Sequence, residues 1–460
     1  MTDGGVLVVR APFDGAEIAR VPRPSAADVE TAVSKAVAAF DKTRALPTYI
    51  RVGILRRVAA ALESRRDTLG ATIASEAGKP LKAARTEVER ASATFSAAAA
   101  ALEAMKGEML PLDVNASSLA RWGVVRRVPL GPVLAITPFN FPLNLTAHKV
   151  APAIAVGAPL VQKPASQTPV SALALQSIVR EAGWPAEAYA VLPIAGSDAE
   201  RLVTDPRLPV VSFTGSGAVG WRLREIAPRK RVSLELGGNA AAVVHSDADL
   251  DDAASRVASA AFGYAGQSCI SVQRVLVQKD VFEAFKEKLL ARTAALASGD
   301  PLDEKTDVGP MIAPEEASRA VAWIEEAVAG GARVLAGGTR TGSVVLPTIL
   351  AGTSREMKVE ALEVFAPVMT LSSYDGWDEA LSRVNDSKYG LQAGIFTQDL
   401  GRIQRAFDVL EVGAILVNDV PTWRADRMPY GGVKESGLGR EGPAYAMEEF
   451  TEPRLLVLRP

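Results

Sequence analysis

Cys269 is the only cysteine among 460 residues, and it stands in Gly266-Gln267-Ser268-Cys269. Small and polar residues before it allow close backbone approach and partial access, which suits a reactive thiol. A lone cysteine is also commonly a small buried hydrophobe. Glu235 sits in Leu234-Glu235-Leu236-Gly237-Gly238-Asn239. Flanking leucines desolvate a carboxylate, which raises its pKa and makes it a base near neutrality. A strand-end salt bridge is the other reading, and both stay open. Asn140 sits in Thr137-Pro138-Phe139-Asn140-Phe141-Pro142. Two prolines stiffen that loop, and a rigid amide donor aimed in advance at developing charge is what an oxyanion site requires. An asparagine bonding its own turn is the alternative.

Gly215-Ser216-Gly217-Ala218-Val219-Gly220 fits the G-x-G-x-x-G dinucleotide fingerprint between a strand and a helix. On that reading Glu235, about 20 residues on, would close on a ribose. The fingerprint normally opens the first βαβ unit, however, and this one lies deep in the chain.

Composition removes several chemistries. Lys and Arg number 51 and Asp and Glu 53, for a net charge of −2. No excess positive charge offers a nucleic-acid or membrane surface. One cysteine excludes an intrachain disulfide and a cysteine zinc cage. Only His148 and His245 are present, neither in H-E-x-x-H, so no metal is expected. Met1-Thr2-Asp3-Gly4-Gly5 has no basic, then apolar, leader pattern. The apolar runs, such as Ala151–Val161, carry Pro or Gly and fall short of the roughly 18 residues of a spanning helix. A cytoplasmic protein is the expectation.

The elements that must hold these residues alternate. Ala26–Thr43, Ile50–Arg66 and Leu81–Lys106 have helical spacing and composition. Trp122–Pro129 and Val133–Thr137 read as strands. Strand–helix pairs follow: Leu160–Gln162 with Pro169–Ala182, Tyr189–Leu192 with Asp198–Thr204, and Val210–Phe213 with Gly217–Ile226. The rhythm restarts with strand Ala240–Val244, helix Ala253–Ala265, strand Val272–Val277 and helix Val281–Ala297. Such alternation predicts an α/β protein with parallel sheets, two of them at this length. The terminal strand Arg454–Leu458 has little chain left to pair with, which points to another domain or subunit.

Taken together, these segments resemble the aldehyde dehydrogenase superfamily over nearly the whole chain. The Thr137–Pro142 loop, Gln162-Lys163-Pro164-Ala165, Phe213-Thr214-Gly215-Ser216, Leu234–Gly238 and Gly266–Cys269 match its motifs in order. So do Glu363-Val364-Phe365, Tyr389-Gly390-Leu391 and the run from Pro429-Tyr430-Gly431-Gly432 through Gly439-Arg440-Glu441. The resemblance is strongest toward the lactaldehyde, phosphonoacetaldehyde and non-phosphorylating glyceraldehyde-3-phosphate dehydrogenase branches.

The resemblance implies a Rossmann-like cofactor domain (residues 1–106 and 127–236), an α/β catalytic domain (237–440) and a β-flap oligomerisation element (107–126 and 441–460). In it a β-flap near Trp122 pairs with the terminal strand Arg454–Leu458, which joins a neighbouring subunit's sheet, giving a homodimer or homotetramer. Cys269 would attack an aldehyde as thiolate. Asn140 and the Cys269 N–H would hold the oxyanion, hydride would pass to NADP or NAD, and Glu235 would activate water to release the acid. Thr137, Pro138, Phe139, Lys163, Ser166, Gly215, Ser216, Gly220, Leu236, Glu363 and Phe365 would bind the cofactor, with Glu363 rather than Glu235 at the ribose and Gly217 incidental. Ser166 stands where NAD-preferring relatives often carry Glu, which favours NADP. Arg90 and Arg424 would meet a small polar or anionic aldehyde, although Arg424 could instead pair with Asp426 or Glu435. Ser268 stands where phosphate-binding relatives carry Arg, and Leu362 and Ala366 also depart from the family pattern. A CoA-acylating dehydrogenase, an acyl-phosphate reductase and a non-catalytic binding protein are the rival readings.

Overall fold

The computed structural model describes residues 5–459. Met1–Gly4, which carry most of the leader expectation, lie outside them. Two parallel-rich sheets organise the chain. Five strands of the first run parallel in the spatial order Arg231–Glu235, Val210–Thr214, Val133–Ile136, Leu160–Lys163, Tyr189–Val191. Numbered along the chain, that is the doubly wound order 5-4-1-2-3, whose switch point lies between Val133–Ile136 and Val210–Thr214. The strands are almost continuously buried, as parallel strands covered on both faces must be. Gly437–Leu438 adds an antiparallel edge against Leu234 and Glu235.

The second sheet has seven strands, ordered Arg333–Ala336, Thr348–Ala351, Val368–Tyr374, Val272–Gln278, Ala240–Val244, Gln392–Phe396, Ala414–Val417. Only the first pair is antiparallel. The chain leaves the first sheet at Glu235 and enters the second at Ala240, so the carboxyl end of one strand faces the amino end of the next.

Trp122–Pro129 pairs on one side with Glu108–Pro111 and on the other with Thr451–Leu458. The pairing expected between the β-flap near Trp122 and the terminal strand is thus present, and Thr451–Leu458 is an outer strand of this sheet. The strand expected over Trp122–Pro129 has those bounds.

Two helices escape periodicity. Arg66–Ala77 follows Thr48–Ser64 almost without a break. Asn144–Val156 is buried on every side and contains Pro152, so it shows no apolar stripe and reads as a plain apolar run. Its first amides are capped from a distance: Glu87 accepts from Leu143 N at 2.9 Å and Asn144 N at 3.1 Å. Glu87 is itself ion-paired to buried Lys79. Among the described residues no helix is long and apolar enough to cross a membrane.

Candidate active site

Three loops converge at the switch point. Thr137–Pro142 leaves the end of strand Val133–Ile136, Gly215-Ser216 leaves Val210–Thr214, and Glu235 closes its own strand. The second sheet supplies the loop ahead of Val272. There Tyr264, Ala265 and Gly266 take positive φ of 52°, 53° and 67° in succession. Two of these are non-glycine residues held in the left-handed region, a strain that persists only where surroundings over-determine it. Gly266 is fixed by crowding as well, since a Cβ there would lie 2.1 Å from Ala366 O. Gly238 presses on the same loop, where a Cβ would meet Cys269 O at 2.2 Å.

Cys269 lies where two cavities meet. One, of about 530 Å³, is lined by Pro138, Phe139, Asn140, Gly215, Glu235 and Glu363 among others. The second, of about 500 Å³, is lined by Lys79, Arg90, Phe141, Trp423, Arg424 and Tyr430 among others. Cys269 lines both. Burial pushes its thiol up to about 12, against a hydrogen bond shared with Tyr430 that acts in the opposite direction.

Asn140 is buried, and its Nδ2 donates to Gln267 O at 3.0 Å, which ties the amide to the cysteine loop. Gln267 is anchored in turn by Pro310 O and Ile312 N. Both Glu235 carboxylate oxygens are buried with no hydrogen-bond partner. Burial, with Glu441 nearby, raises the Glu235 pKa well above the ordinary value, while Arg424 and Lys149 oppose the shift. The strand-end salt bridge is therefore not formed, and the carboxylate is left free toward the first cavity.

Thr214, Ala165, Gln167, Ser216, Leu236 and Phe365 also line that first cavity. Thr137 does not: it is buried beneath, accepting from Gln162 Nε2 at 3.0 Å. Lys163 and Ser166 flank the lining residue Ala165 without lining the cavity themselves, and the Lys163 ammonium makes no ion pair with a described residue. The glycine run divides by crowding. A Cβ at Gly215 would strike the Phe213 ring at 2.6 Å and one at Gly220 would strike Leu236 at 2.4 Å, whereas at Gly217 the nearest atom is 4.0 Å away. Glu363 accepts from Gly238 N at 2.9 Å, and burial pushes it up to about 7.

Behind the second cavity lies a buried charge network. Arg90 grips Asp426 with two prongs, and His148 Nε2 and Asn144 Nδ2 each lie 3.0 Å from Asp426 Oδ1. Arg424 turns away from both partners expected for it and pairs with Glu441 at 3.3 Å. Lys149 bonds the other Glu441 oxygen at 3.0 Å. Burial pushes Glu441 up, but Lys149, His148 and Arg424 outweigh it and hold the carboxyl at about 2. Glu441 is thus the shared anchor of Arg424 and Lys149.

Motif reading gave no role to Tyr430, Gln267 or Thr214, set Asp426 against the wrong arginine, and missed Arg319, which bonds Val364 O at 2.8 Å and braces the Glu363 loop. The Tyr430 signal was present as an aromatic residue between Pro429 and the Gly431-Gly432 pair. A Cβ at Gly431 would lie 3.0 Å from Glu235 Oε1, so that segment runs against the carboxylate.

A thiol bonded to Tyr430, an unpartnered carboxylate and a tethered amide gather around one α/β switch point, and the comparisons with known proteins give the class of protein that carries them. A sequence model described as the aldehyde dehydrogenase family matches residues 2–456. The 3-sulfolactaldehyde dehydrogenase of Priestia aryabhattai is 45% identical over 432 residues, covering 94% of this chain and 90% of that protein. The crystal structure of aldehyde dehydrogenase 21 from Physcomitrella patens in complex with the reaction product succinate is similar at a TM-score of 0.97 and 41% identity, over 100% of this chain and 96% of that one. Glyceraldehyde-3-phosphate dehydrogenase GapN from Methanocaldococcus jannaschii, complexed with NADP, is similar at 0.95 and 37%, over 100% of both chains. The chain belongs to the aldehyde dehydrogenase family.

Proposed function

We propose that the protein oxidises a small polar or anionic aldehyde to its carboxylic acid with NADP or NAD, through a thioester on Cys269. The observation that carries this reading is the place of Cys269 between two cavities, one holding Glu235 and Asn140 and the other lined by cationic side chains.

The first cavity fits a nicotinamide dinucleotide. Gly215 and Ser216 bring the turn after Thr214 to its wall, Thr214 Oγ1 is buried without a partner, and the Glu363 carboxylate has one protein donor. Ser216, Phe139, Pro138, Leu236 and Phe365 would line it, with Glu363 at a ribose and Lys163 and Ser166 at the adenosine end. When bound, the nicotinamide supplies the hydride acceptor.

The chain's own residues do the remaining work. The Cys269 thiolate attacks the aldehyde carbon. Asn140 Nδ2 and the Cys269 N–H stabilise the oxyanion, and losing one such donor costs about 10²–10³ in rate. Once the carbon is a thioester, Glu235 takes a proton from water and the acid is released. A buried carboxylate without a partner suits that step, and it argues against CoA or phosphate as the resolving group.

The polar substrate follows from Arg424, whose Nε is a buried donor with no partner in the cavity that Lys79 and Arg90 also line. The similar proteins named for 3-sulfolactaldehyde and crystallised with succinate act on, or release, small anions of this kind. A homodimer or homotetramer is supported by Leu455, Leu456 and Val457, exposed on the outer strand of the flap sheet. A free cysteine suits the reducing cytoplasm.

The test is reduced-cofactor formation from a panel of small anionic and neutral aldehydes without CoA or phosphate. Turnover that needs CoA or phosphate overturns the hydrolytic reading, and silence across the panel favours a binding protein.

A further inference from the structure

Tyr430 is buried to 3% exposure, and its hydroxyl oxygen lies 3.0 Å from Cys269 Sγ. No other described residue hydrogen-bonds to that hydroxyl. The Arg424 guanidinium is centred 3.7 Å from the ring centroid. It is kept there by Glu441, which Lys149 holds from the far side. A cation against the ring withdraws density from the phenol and makes its O–H a better donor.

We propose that Tyr430 is a further catalytic residue, whose hydroxyl donates to the Cys269 thiolate and, backed by Arg424, sets how readily that thiolate forms and where it points. The inference rests on Cys269 being the nucleophile.

In the thiol state either atom can donate. A thiolate carries no proton, so on ionisation only the Tyr430 O–H can, and a bond made to the charged form alone favours that form. The phenol keeps its proton, because burial and the adjacent sulfur raise its own pKa. The charged groups facing Cys269 from the surrounding elements are Glu235, Glu363 and Arg424. The two carboxylates oppose ionisation and Arg424 favours it. Tyr430 is thus the neutral donor set against two carboxylates. A hydrogen bond to a charged group is worth about one pKa unit or more here.

Cys269 is the only thiol in the chain, so alkylation by iodoacetamide reports on it alone. Tyr430→Phe keeps the ring under Arg424 and removes only the hydroxyl. Losing about one unit of thiol acidity is offset in part by the greater nucleophilicity of the more basic thiolate, with a Brønsted slope of about 0.4–0.5. The expected result is alkylation about threefold slower on the rising limb of the pH profile, at an unchanged melting temperature. The kcat/KM profile for aldehyde should move to higher pH in the same direction. Superimposable alkylation limbs for Y430F and wild type would overturn the proposal, as would a rate difference accompanied by equal loss at every pH including the plateau. Alkylation needs no substrate, so it fails or succeeds independently of whether Cys269→Ala abolishes oxidation.

Discussion

Arg90 and Asp426 are joined by two hydrogen bonds, of 3.1 and 2.9 Å, across 336 residues of sequence. The pair fastens the helix Leu81–Ala104 to the loop ahead of Pro429, and it spends much of the Arg90 charge. Arg424 meets Glu441 and the His148 ring through Nη2 alone and keeps an unpartnered Nε. Of the two cations expected to meet substrate, Arg424 has the donor to spare.

Arg424→Ala should therefore raise KM for an anionic aldehyde about tenfold or more, the worth of one charge-assisted hydrogen bond. The KM for a neutral aldehyde of similar size should rise far less, while the support that Arg424 gives the Cys269 thiolate is lost from kcat for both. Steady-state kinetics on the two substrates check this, and equal rises in KM would assign Arg424 to the scaffold.

Asp426→Asn should cost about 3 kcal/mol of stability, because it leaves the Arg90 cation short of its counter-charge in a part-buried place. Burial raises the Asp426 pKa, but His148 and Arg90 outweigh it and hold the carboxyl well below the usual range. Stability from such a group is present above the unfolded pKa and lost as pH falls through the folded one. The wild-type advantage in urea denaturation should thus shrink in acid.

Glu235 behaves oppositely. Its raised pKa means the folded state resists ionisation, so the residue costs stability once pH exceeds the unfolded carboxyl value. Glu235→Gln should melt higher than wild type at neutral pH, with the gap closing toward pH 4. Thermal denaturation at the two pH values checks this. In the wild type, thioester hydrolysis should quicken as pH rises through the same titration.

Ser166→Glu should weaken NADP binding tenfold or more and leave NAD nearly unchanged, since a carboxylate repels a 2′-phosphate and accepts from a 2′-hydroxyl. Titration calorimetry of both cofactors decides it. Wild-type protein that binds NAD at least tenfold tighter than NADP would contradict the reading of Ser166.

The strand–helix alternation was legible because each buried strand is short and bounded by turn residues, as at Val210–Thr214 before Gly215. Cys269, Glu235 and Asn140 stand out by their neighbours, glycines and stiffening prolines, but those neighbours alone left the bland readings open, and only the ordered set of motifs gave the three one expected role. The helix Asn144–Val156 was not legible, since burial on all sides erases the helical stripe. Nor were the partners of Arg424 and Arg90. Glu441 and Asp426 reach them only through tertiary packing, which spacing along a chain does not encode. The terminal strand looked orphaned because its partner, Trp122–Pro129, lies more than 300 residues earlier.

The central claim is a thioester on Cys269 that Glu235 resolves. Glu235→Gln mixed with aldehyde and oxidised cofactor, quenched in acid and weighed by mass spectrometry, tests it most directly. The account predicts one equivalent of reduced cofactor released in a burst, matched by one acyl group located on Cys269. A burst with no adduct on Cys269, or no burst from a variant that binds cofactor normally, would contradict it.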